Sequence, residues 1–442
     1  MHELTELLKN DMKPALGVTE PGAIAFAVAK AKSYTSGELE SVEVAMNSGM
    51  YKNAFTCGIP GSEKSGSVYS AAFGYVAGDP EKGLESLAGM TPEENELGKK
   101  LVDEGKVKVR MSGITSRIFI EACVKTENDT AVVTIRDAHT NITCITVNGE
   151  VVFGEADGPD ADDGSEIGSI NTGSIVPVIE KTDALTIHKY TLKELIEFVE
   201  TVDIEEISFI ADAFTMNLEL LRTGLASDET TFGPSLLKSN GGKEISDDEQ
   251  TTAQLMCAAA IEARVIGLDR PAMSITGSGA HGIIATMPLY ACCKVNGLTE
   301  EKLLRATALS YLICTYIKEY SGKLSAFCGC AIAAGAGMAC ALCWMHGGDY
   351  DAIVRTLNNM AASITGMICD GGNQGCTMKG VAATDAAYRS VEFALNGVYI
   401  YGEHSIIGKT PELTMRNMGL IASPGMVGTE QTIVEIFADK LS

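Results

Sequence analysis

Positive charge is scarce in this chain. Of its 442 residues, 34 are Lys or Arg and 58 are Asp or Glu, which gives a formal net charge of −24. Binding to nucleic acid relies on clustered basic residues, so this composition argues against a nucleic-acid partner. Long apolar runs are also lacking, because charges or turn signals interrupt every 18-residue window, and we expect no membrane-spanning helix. The acidic start Met1–Glu6 lacks the basic and apolar regions of a signal peptide, so we expect a cytoplasmic protein.

The hydrophobic pattern predicts an α+β protein. Hydrophobic residues make up 45% of the chain and charged residues 21%, which suits a folded protein with a large core. We expect a mixed α/β part over residues 1–190, with short antiparallel strands at hairpin spacing in 107–153. We expect a large, all-α catalytic bundle over 191–442. The acidic, glycine-rich stretch 154–175 has no periodicity and is typical of a loop or linker.

Cysteine, by contrast, is abundant, with 13 residues in the chain. In a reducing compartment these residues stay thiols, and those within apolar helical patterns are typical small core residues. Four are different, because they lie beside glycines at predicted helix ends: Cys328, Cys330, Cys369 and Cys376.

Two helices of similar length separate these cysteines into two groups. Residues 331–346 and 350–366 both have helical patterns, and Gly347 and Gly348 interrupt them. At 1.5 Å per residue the first helix runs out roughly 24 Å and the second returns about as far. The spacing therefore predicts a helical hairpin that brings Cys369 back to the neighbourhood of Cys330.

The spacing of the four thiols does not determine which metal or cluster, if any, they bind. Structural zinc sites usually contain C-x2-C pairs, and ferredoxin-type clusters contain C-x2-C-x2-C. This chain has C-x-C at 328–330 and C-x6-C at 369–376. An iron–sulfur cluster held by three cysteines, with one open iron, is compatible with that spacing, and so are ordinary core thiols.

Motifs along nearly the whole chain resemble the L-cysteine desulfidase family, single-chain relatives of the alpha subunit of iron–sulfur L-serine dehydratases. The resemblance rests on these segments, in order: Gly17-Val-Thr-Glu-Pro21, Lys52-Asn53 with Gly58-Ile-Pro-Gly61, Asp137-Ala-His-Thr-Asn-Ile142, Thr276-Gly-Ser-Gly-Ala-His-Gly-Ile283, Phe327-Cys-Gly-Cys330, Cys369-Asp-Gly-Gly372, Cys376-Thr-Met-Lys379, and Asn417-Met-Gly419 with Pro424-Gly-Met426.

The resemblance implies a [4Fe–4S] cluster with three cysteine ligands. Carried onto this sequence, the ligands are Cys369, Cys376 and one member of the C-G-C pair, with Cys330 preferred and Cys328 as the alternative. The family reaction is the β-elimination of L-cysteine, without pyridoxal phosphate, to pyruvate, ammonia and hydrogen sulfide. The open iron acts as a Lewis acid on the leaving group.

The same motifs supply candidate residues for substrate chemistry. We assign catalytic roles to Lys52 and His281, either of which could be the base. His139 and Asn141 follow a strand and are interpreted as structural residues. The predicted substrate-binding residues are Thr19, Glu20, Asn53, Ser278 and Lys379.

One position departs from the family pattern. The family motif G-C-T-E-P has cysteine where this chain has Val18, and valine cannot transfer protons. This change leaves an L-serine ammonia-lyase, or a lyase for another β-substituted amino acid, as an alternative to the desulfidase. A non-catalytic metal-binding protein is a second alternative. Helices rich in small residues suit a homodimer, which we also expect.

Overall fold

The N-terminal part of the chain is built around a six-stranded β-sheet. The computed structural model describes residues 1–115, 117–155, 186–322 and 324–440. The strands of the described residues are β1 (Lys13–Leu16), β2 (Leu39–Asn47), β3 (Val107–Gly113), β4 (Phe119–Thr126), β5 (Thr130–Arg136), β6 (Ile142–Val147), β7 (Glu150–Gly154) and β8 (Pro271–Ser274). The large sheet has the order β3-β2-β4-β5-β6-β7, and β1 pairs with β8 in a separate two-stranded sheet.

The sheet corrects one part of the predicted strand pairing. Hairpin spacing suggested that β3 and β4 are neighbours, but β2 lies between them, parallel to β3 and antiparallel to β4. A parallel pair needs a long crossover, and the helical segment between β2 and β3 provides it. The remaining neighbours are antiparallel. Asn148 and Gly149 form the turn between β6 and β7, with both residues at positive φ.

Helices make up most of the rest, which confirms the α+β class. Those before the sheet's hairpins are α1 (Glu3–Asp11), α2 (Thr19–Lys32), α3 (Ser48–Asn53), α4 (Ser67–Val76) and α5 (Pro92–Asp103). Those after it are α6 (Leu192–Thr201), α7 (Ile204–Ile207), α8 (Ala211–Ala226), α9 (Phe232–Ser239), α10 (Glu249–Val265), α11 (Gly279–Val295), α12 (Glu300–Ser321), α13 (Gly335–Met345), α14 (Tyr350–Ile364), α15 (Gly375–Leu395), α16 (Pro411–Leu420) and α17 (Val427–Asp439).

None of the helices among these described residues is long and apolar enough to cross a membrane. The predicted loop at 154–175 falls mostly outside the described residues. The proposed boundary near residue 190 also borders that segment and stays a prediction.

The predicted helical hairpin is present. A π-helical turn at Cys330–Ala334 leads into α13, Gly347 turns the chain at a φ of +83°, and α14 runs back. Asp349 caps the start of α14 by accepting a hydrogen bond from the backbone N–H of Ala352. The hairpin positions the two cysteine segments side by side.

The pair β1–β8 connects the first residues of the chain with the helical part. Strand β1 comes shortly before α2, and β8 comes shortly before α11. Because these short strands are hydrogen-bonded to each other, the starts of α2 and α11 are held near one cavity. This arrangement brings residues more than 250 positions apart in the sequence into one site.

Candidate functional site

The starts of α2 and α11 and the cysteine segments enclose a cavity of about 320 Å³. Its lining includes four predicted substrate or catalytic residues and two of the four singled-out cysteines: Glu20, Asn53, Ser278, His281, Cys330 and Cys369. The loop between β5 and β6 contributes His139. The structure therefore brings most of the predicted site residues to one place.

Glu20 is a buried carboxylate at the cavity wall. Its Oε1 accepts a hydrogen bond from Asn53 Nδ2 at 2.8 Å, and its Oε2 accepts one from the Thr19 hydroxyl at 3.0 Å. His139 Nε2 lies 3.7 Å from Oε1 and has no hydrogen-bond partner among the described residues. Although burial opposes ionisation, His139, Asn53 and Arg264 lower the pKa of Glu20 to about 2. Glu20 is therefore a carboxylate at neutral pH, suited to an ammonium group.

His281 is the best-placed base in the cavity. It is buried in the first turn of α11, and its Nδ1 is hydrogen-bonded to the Thr276 hydroxyl. Burial, together with the positive charges of Lys318 and Arg264, moves the pKa of His281 well below 6.5. The imidazole is therefore neutral at pH 7. When Thr276 accepts the Nδ1 proton, Nε2 keeps its lone pair and can accept a proton.

Nε2 of His281 points toward the C-G-C segment. A Cβ built on Gly329 would lie 2.7 Å from this nitrogen, so only glycine allows the close approach. The imidazole of His281 therefore packs closely against the C-G-C segment.

A short antiparallel ladder aligns the two cysteine segments. Phe327 pairs with Ile368, the Cys328 N–H donates to the Met367 carbonyl, and the Cys369 N–H donates to the Ala326 carbonyl. Side chains alternate across such a ladder, so Cys328 and Cys369 project from the same face. Diagonal neighbours of this kind are roughly 7–8 Å apart at their Cα atoms.

The thiols influence one another electrostatically. A hydrogen bond with Cys330, followed by burial, raises the pKa of Cys328. Burial raises the pKa of Cys376 to about 12, and Cys369 and Cys328 add to the effect. Burial also raises the pKa of Cys369, with a further contribution from Cys328. Cys328, Cys369 and Cys376 therefore lie within electrostatic reach of each other, whereas Cys330 and Cys369 line the cavity.

Lys379 provides positive charge beside these thiols. It pairs with Asp370 in the loop between Cys369 and Cys376. Burial opposes the charged form, but Asp370 and the nearby thiols of Cys328, Cys369 and Cys376 raise the pKa of Lys379. This lysine therefore stays charged, one helical turn after Cys376.

Lys52 has a different environment from the one predicted. Its ammonium is fully buried, donates to Glu430 Oε2 at 2.6 Å and to the Ser325 carbonyl at 2.9 Å, and is not part of the cavity lining. The contacts describe a structural ion pair that fixes α3 against α17. The catalytic role of Lys52 stays a prediction.

Val18 lies against the cysteine loop. A Cβ on Gly372 would approach Val18 Cγ1 to 2.8 Å, and Gly372 N–H donates to the Asn53 carbonyl at 3.2 Å. Gly371 has a φ of +104° and a Cβ there would lie 2.5 Å from the Lys52 carbonyl oxygen. The position where the family has cysteine thus packs directly against the loop between Cys369 and Cys376.

Sequence reasoning missed several contributors. Glu430 is 378 positions from its partner Lys52, and nothing in the local pattern indicates that pair. Arg264 belongs to none of the sequence motifs, although a charged residue within an Ala-rich helix is itself a sign of a special role. Asn141, expected to be structural, donates to the Arg136 carbonyl at 3.0 Å, whereas His139 lines the cavity.

A second group of metal-binding side chain types lies elsewhere in the helical part. Glu249, Cys292 and His346 have ligand atoms within 4.8 Å of one another. Hydrogen bonds already connect them: His346 Nε2 lies 3.0 Å from Glu249 Oε1, to which Tyr388 also donates at 2.8 Å. Asn296 donates to the second carboxylate oxygen at 2.6 Å. The group is explained by this network between α10, α11, α13 and α15.

Comparison with known proteins agrees with the geometry. The sequence pattern of the family described as "Serine dehydratase alpha chain" matches residues 81–435. A UPF0597 protein of Clostridium botulinum (strain Hall) is 37% identical over 99% of this chain and 98% of its own length. UPF0597 proteins of Clostridioides difficile (strain 630) and Caldanaerobacter subterraneus are 34% and 33% identical, each over at least 98% of both chains.

The UPF0597 names give no substrate, but the family match covers the cavity residues from Leu84 onward and all four cysteines of the site. A related lyase chemistry is therefore supported, and the chain belongs to the serine dehydratase alpha chain family as a single-chain relative of that subunit.

Proposed function

We propose that the protein is an iron–sulfur-dependent lyase that eliminates the β-substituent of L-cysteine, without pyridoxal phosphate, to give pyruvate, ammonia and hydrogen sulfide. The observation that carries the proposal is one cavity containing a neutral histidine, an ionised carboxylate and cysteine thiols from two segments. Elimination from an amino acid needs these three elements: a proton acceptor, an ammonium partner and a site for the leaving group.

The thiols fit a [4Fe–4S] cluster with three cysteine ligands. Thiolate sulfur is the donor that iron–sulfur clusters use, and the convergent thiols come from helix ends separated by a hairpin. Cys369 and Cys376 are two ligands of this proposal. For the third, the shared ladder face and the electrostatic contact with both favour Cys328, while Cys330, preferred from the sequence, lines the cavity. When bound, such a cluster supplies a Lewis-acidic iron for the departing sulfur.

The side chains of the cavity bind the substrate and accept its proton. Glu20, held by Asn53 and Thr19, binds the substrate ammonium. His281 accepts the Cα proton at Nε2, and Thr276 stabilises the resulting imidazolium by accepting the Nδ1 proton's hydrogen bond. Ser278 lies at the start of α11, where a polar substrate group can be bound. Lys379 offsets thiolate charge next to the cluster ligands.

The L-serine ammonia-lyase is the second candidate, and two observations favour it. The matching family is named for serine dehydratase, and Val18 replaces the cysteine of the desulfidase motif directly beside the Cys369–Cys376 loop. A non-catalytic metal-binding protein is the third candidate. A homodimer and a cytoplasmic location are further predictions.

The discriminating experiment supplies L-cysteine and L-serine separately to protein purified and reconstituted with iron and sulfide without oxygen. Pyruvate and sulfide from L-cysteine support the main proposal. Pyruvate from L-serine alone replaces it with the second candidate, and no pyruvate from either, in protein that holds its cluster, supports the third.

The third ligand is tested on the same preparation. Cys328→Ser and Cys330→Ser are compared for iron bound per chain. We expect Cys328→Ser to lose iron and Cys330→Ser to retain it; the reverse result assigns the ligand to Cys330.

A further inference from the structure

Arg264, near the end of α10, is a buried cation that the proposed chemistry does not yet use. Its side chain is 3% exposed, and its Nε has no hydrogen-bond partner among the described residues. No ion pair of Arg264 with a carboxylate is present in the described parts of the chain. A buried guanidinium without a partner is costly, so this position calls for an anion.

The guanidinium lies against the first turn of α11. A Cβ built on Gly279, the first residue of that helix, would be 2.7 Å from Arg264 Nε and 3.2 Å from its Cδ. Only glycine therefore lets the arginine approach the helix start this closely. The same glycine-rich turn continues into Gly277 and Ser278, which line the cavity.

The start of α11 is itself unsatisfied. The N-cap residue Ser278 makes no side-chain cap hydrogen bond, and within the described part of the chain no side chain accepts from the N–H groups of Gly279, Ala280 or His281. Such N–H groups and the helix dipole favour an anion. Arg264 Nε and the N–H groups of the helix start thus lie close together.

The charge of Arg264 also reaches the cavity. After burial and Lys318, it contributes to the lowered pKa of His281, and it acts with His139 and Asn53 on Glu20. Arg264 lies behind the cavity wall, and the lysines that line the cavity are Lys13 and Lys318. Lys318 already donates to the Gly322 carbonyl at 2.9 Å, and Lys13 is exposed. A planar guanidinium binds a carboxylate with two parallel hydrogen bonds, which an ammonium cannot do.

We propose that Arg264 and the first turn of α11 form the binding site for the α-carboxylate of an amino-acid substrate. The inference rests on the proposed function, because it assigns the carboxylate of the substrate whose ammonium is bound by Glu20. With both groups in place, the zwitterion is held at two points and its Cα–H is directed to His281.

The test measures binding of two probes to the anaerobically reconstituted protein by calorimetry. L-Alanine has both charged groups and no leaving group, and L-alaninamide lacks only the carboxylate. We expect the protein to prefer L-alanine, and Arg264→Gln to weaken L-alanine binding by roughly 10- to 100-fold, the range of a charge-assisted hydrogen bond. L-Alaninamide binding should change by less than about threefold.

Matched variants separate recognition from folding. Arg270→Gln makes the same substitution at a surface arginine that pairs with Glu219, and we expect it to change neither affinity. Arg264→Lys keeps the charge and loses the planar fork, so it should weaken L-alanine selectively but less than Arg264→Gln. If Arg264→Gln does not fold, the affinities of Arg264→Lys for the two probes test the inference.

Several outcomes overturn the inference: wild-type protein that does not prefer L-alanine, Arg264 variants that bind both probes as the wild type does, or equal weakening of both probes. The proposed function fails separately. Wild-type protein that binds L-alanine through Arg264 but forms no pyruvate refutes the lyase and keeps the carboxylate site.

Discussion

Replacing Glu20 by Gln removes a buried charge at almost constant shape. The pKa of Glu20 is lowered from 4.5 to about 2 by His139, Asn53 and Arg264, against the opposing effect of burial. At about 1.36 kcal/mol per pKa unit, this shift corresponds to roughly 3 kcal/mol of folding free energy at pH 7. Because the folded-state pKa is depressed, the contribution is complete above pH 4.5 and is lost as pH falls toward 2.

The loss follows a calculable curve. The contribution of Glu20 falls from roughly 3 kcal/mol at pH 7 to between about 2 and 3 kcal/mol at pH 4 and roughly 2 kcal/mol at pH 3.5. The Gln variant has no charge to titrate, so the difference in unfolding free energy between wild type and Glu20→Gln should shrink by roughly 1 kcal/mol between pH 7 and pH 3.5. Urea denaturation at the three pH values, on protein freed of iron, measures the difference.

A matched control is Glu81→Gln, because the Glu81 side chain is 82% exposed. We expect it to change the unfolding free energy by less than about 0.5 kcal/mol at each pH. A wild-type-minus-Glu20→Gln difference that stays constant between pH 7 and pH 3.5, or that grows on acidification, would refute the reasoning.

Three further predictions concern the contacts of Lys52, the loop between Cys369 and Cys376, and the separate hydrogen-bond network of Glu249. Lys52→Met should lower the unfolding free energy by about 3–5 kcal/mol, because it leaves Glu430 buried without its cation. Adding Glu430→Leu should recover part of this loss. A double variant whose loss of unfolding free energy equals the sum of the two single losses contradicts the ion pair. Gly371→Ala should lower the amount of iron bound per chain, because Gly371 has a φ of +104° and a Cβ there would lie 2.5 Å from a carbonyl oxygen. Gly347→Ala is the control and should not lower it, because Gly347 has a φ of +83° but lies in open space. Equal loss of iron in both variants contradicts the contact argument. Donation of a hydrogen bond from His346 to Glu249 raises the pKa of His346. This stabilisation is therefore present below pH 6.5 and is lost as pH rises through the raised value. His346→Gln should cost more stability at pH 6 than at pH 9 in urea titrations, and an equal cost at both contradicts the assignment.

The helical hairpin could be predicted because its signals are local. Two apolar helical patterns of similar length and the Gly347–Gly348 break determine where Cys369 returns, and the ladder between Phe327 and Ile368 satisfies that expectation. The strands in 107–153 could also be predicted, because the alternation of apolar and polar residues and the turn residues are patterns over a few positions.

Contacts between residues far apart in the sequence could not be predicted. The insertion of β2 between β3 and β4 depends on a crossover of more than 50 residues, and hairpin spacing carries no information about it. The Lys52–Glu430 pair and the position of Arg264 against Gly279 are set by tertiary packing. The sequence therefore predicted a catalytic role for Lys52 without showing that its ammonium is enclosed by Glu430 and Ser325.

The central claim is that thiols from the two ends of the α13–α14 hairpin hold an iron–sulfur cluster at the cavity of His281. Its most direct test is the iron and acid-labile sulfide content of anaerobically reconstituted wild-type protein, compared with Cys369→Ser and Cys376→Ser. The account predicts about four irons and four sulfides per wild-type chain and a loss of both in each variant. Wild-type protein that binds no iron, or variants that keep the wild-type content, would contradict it.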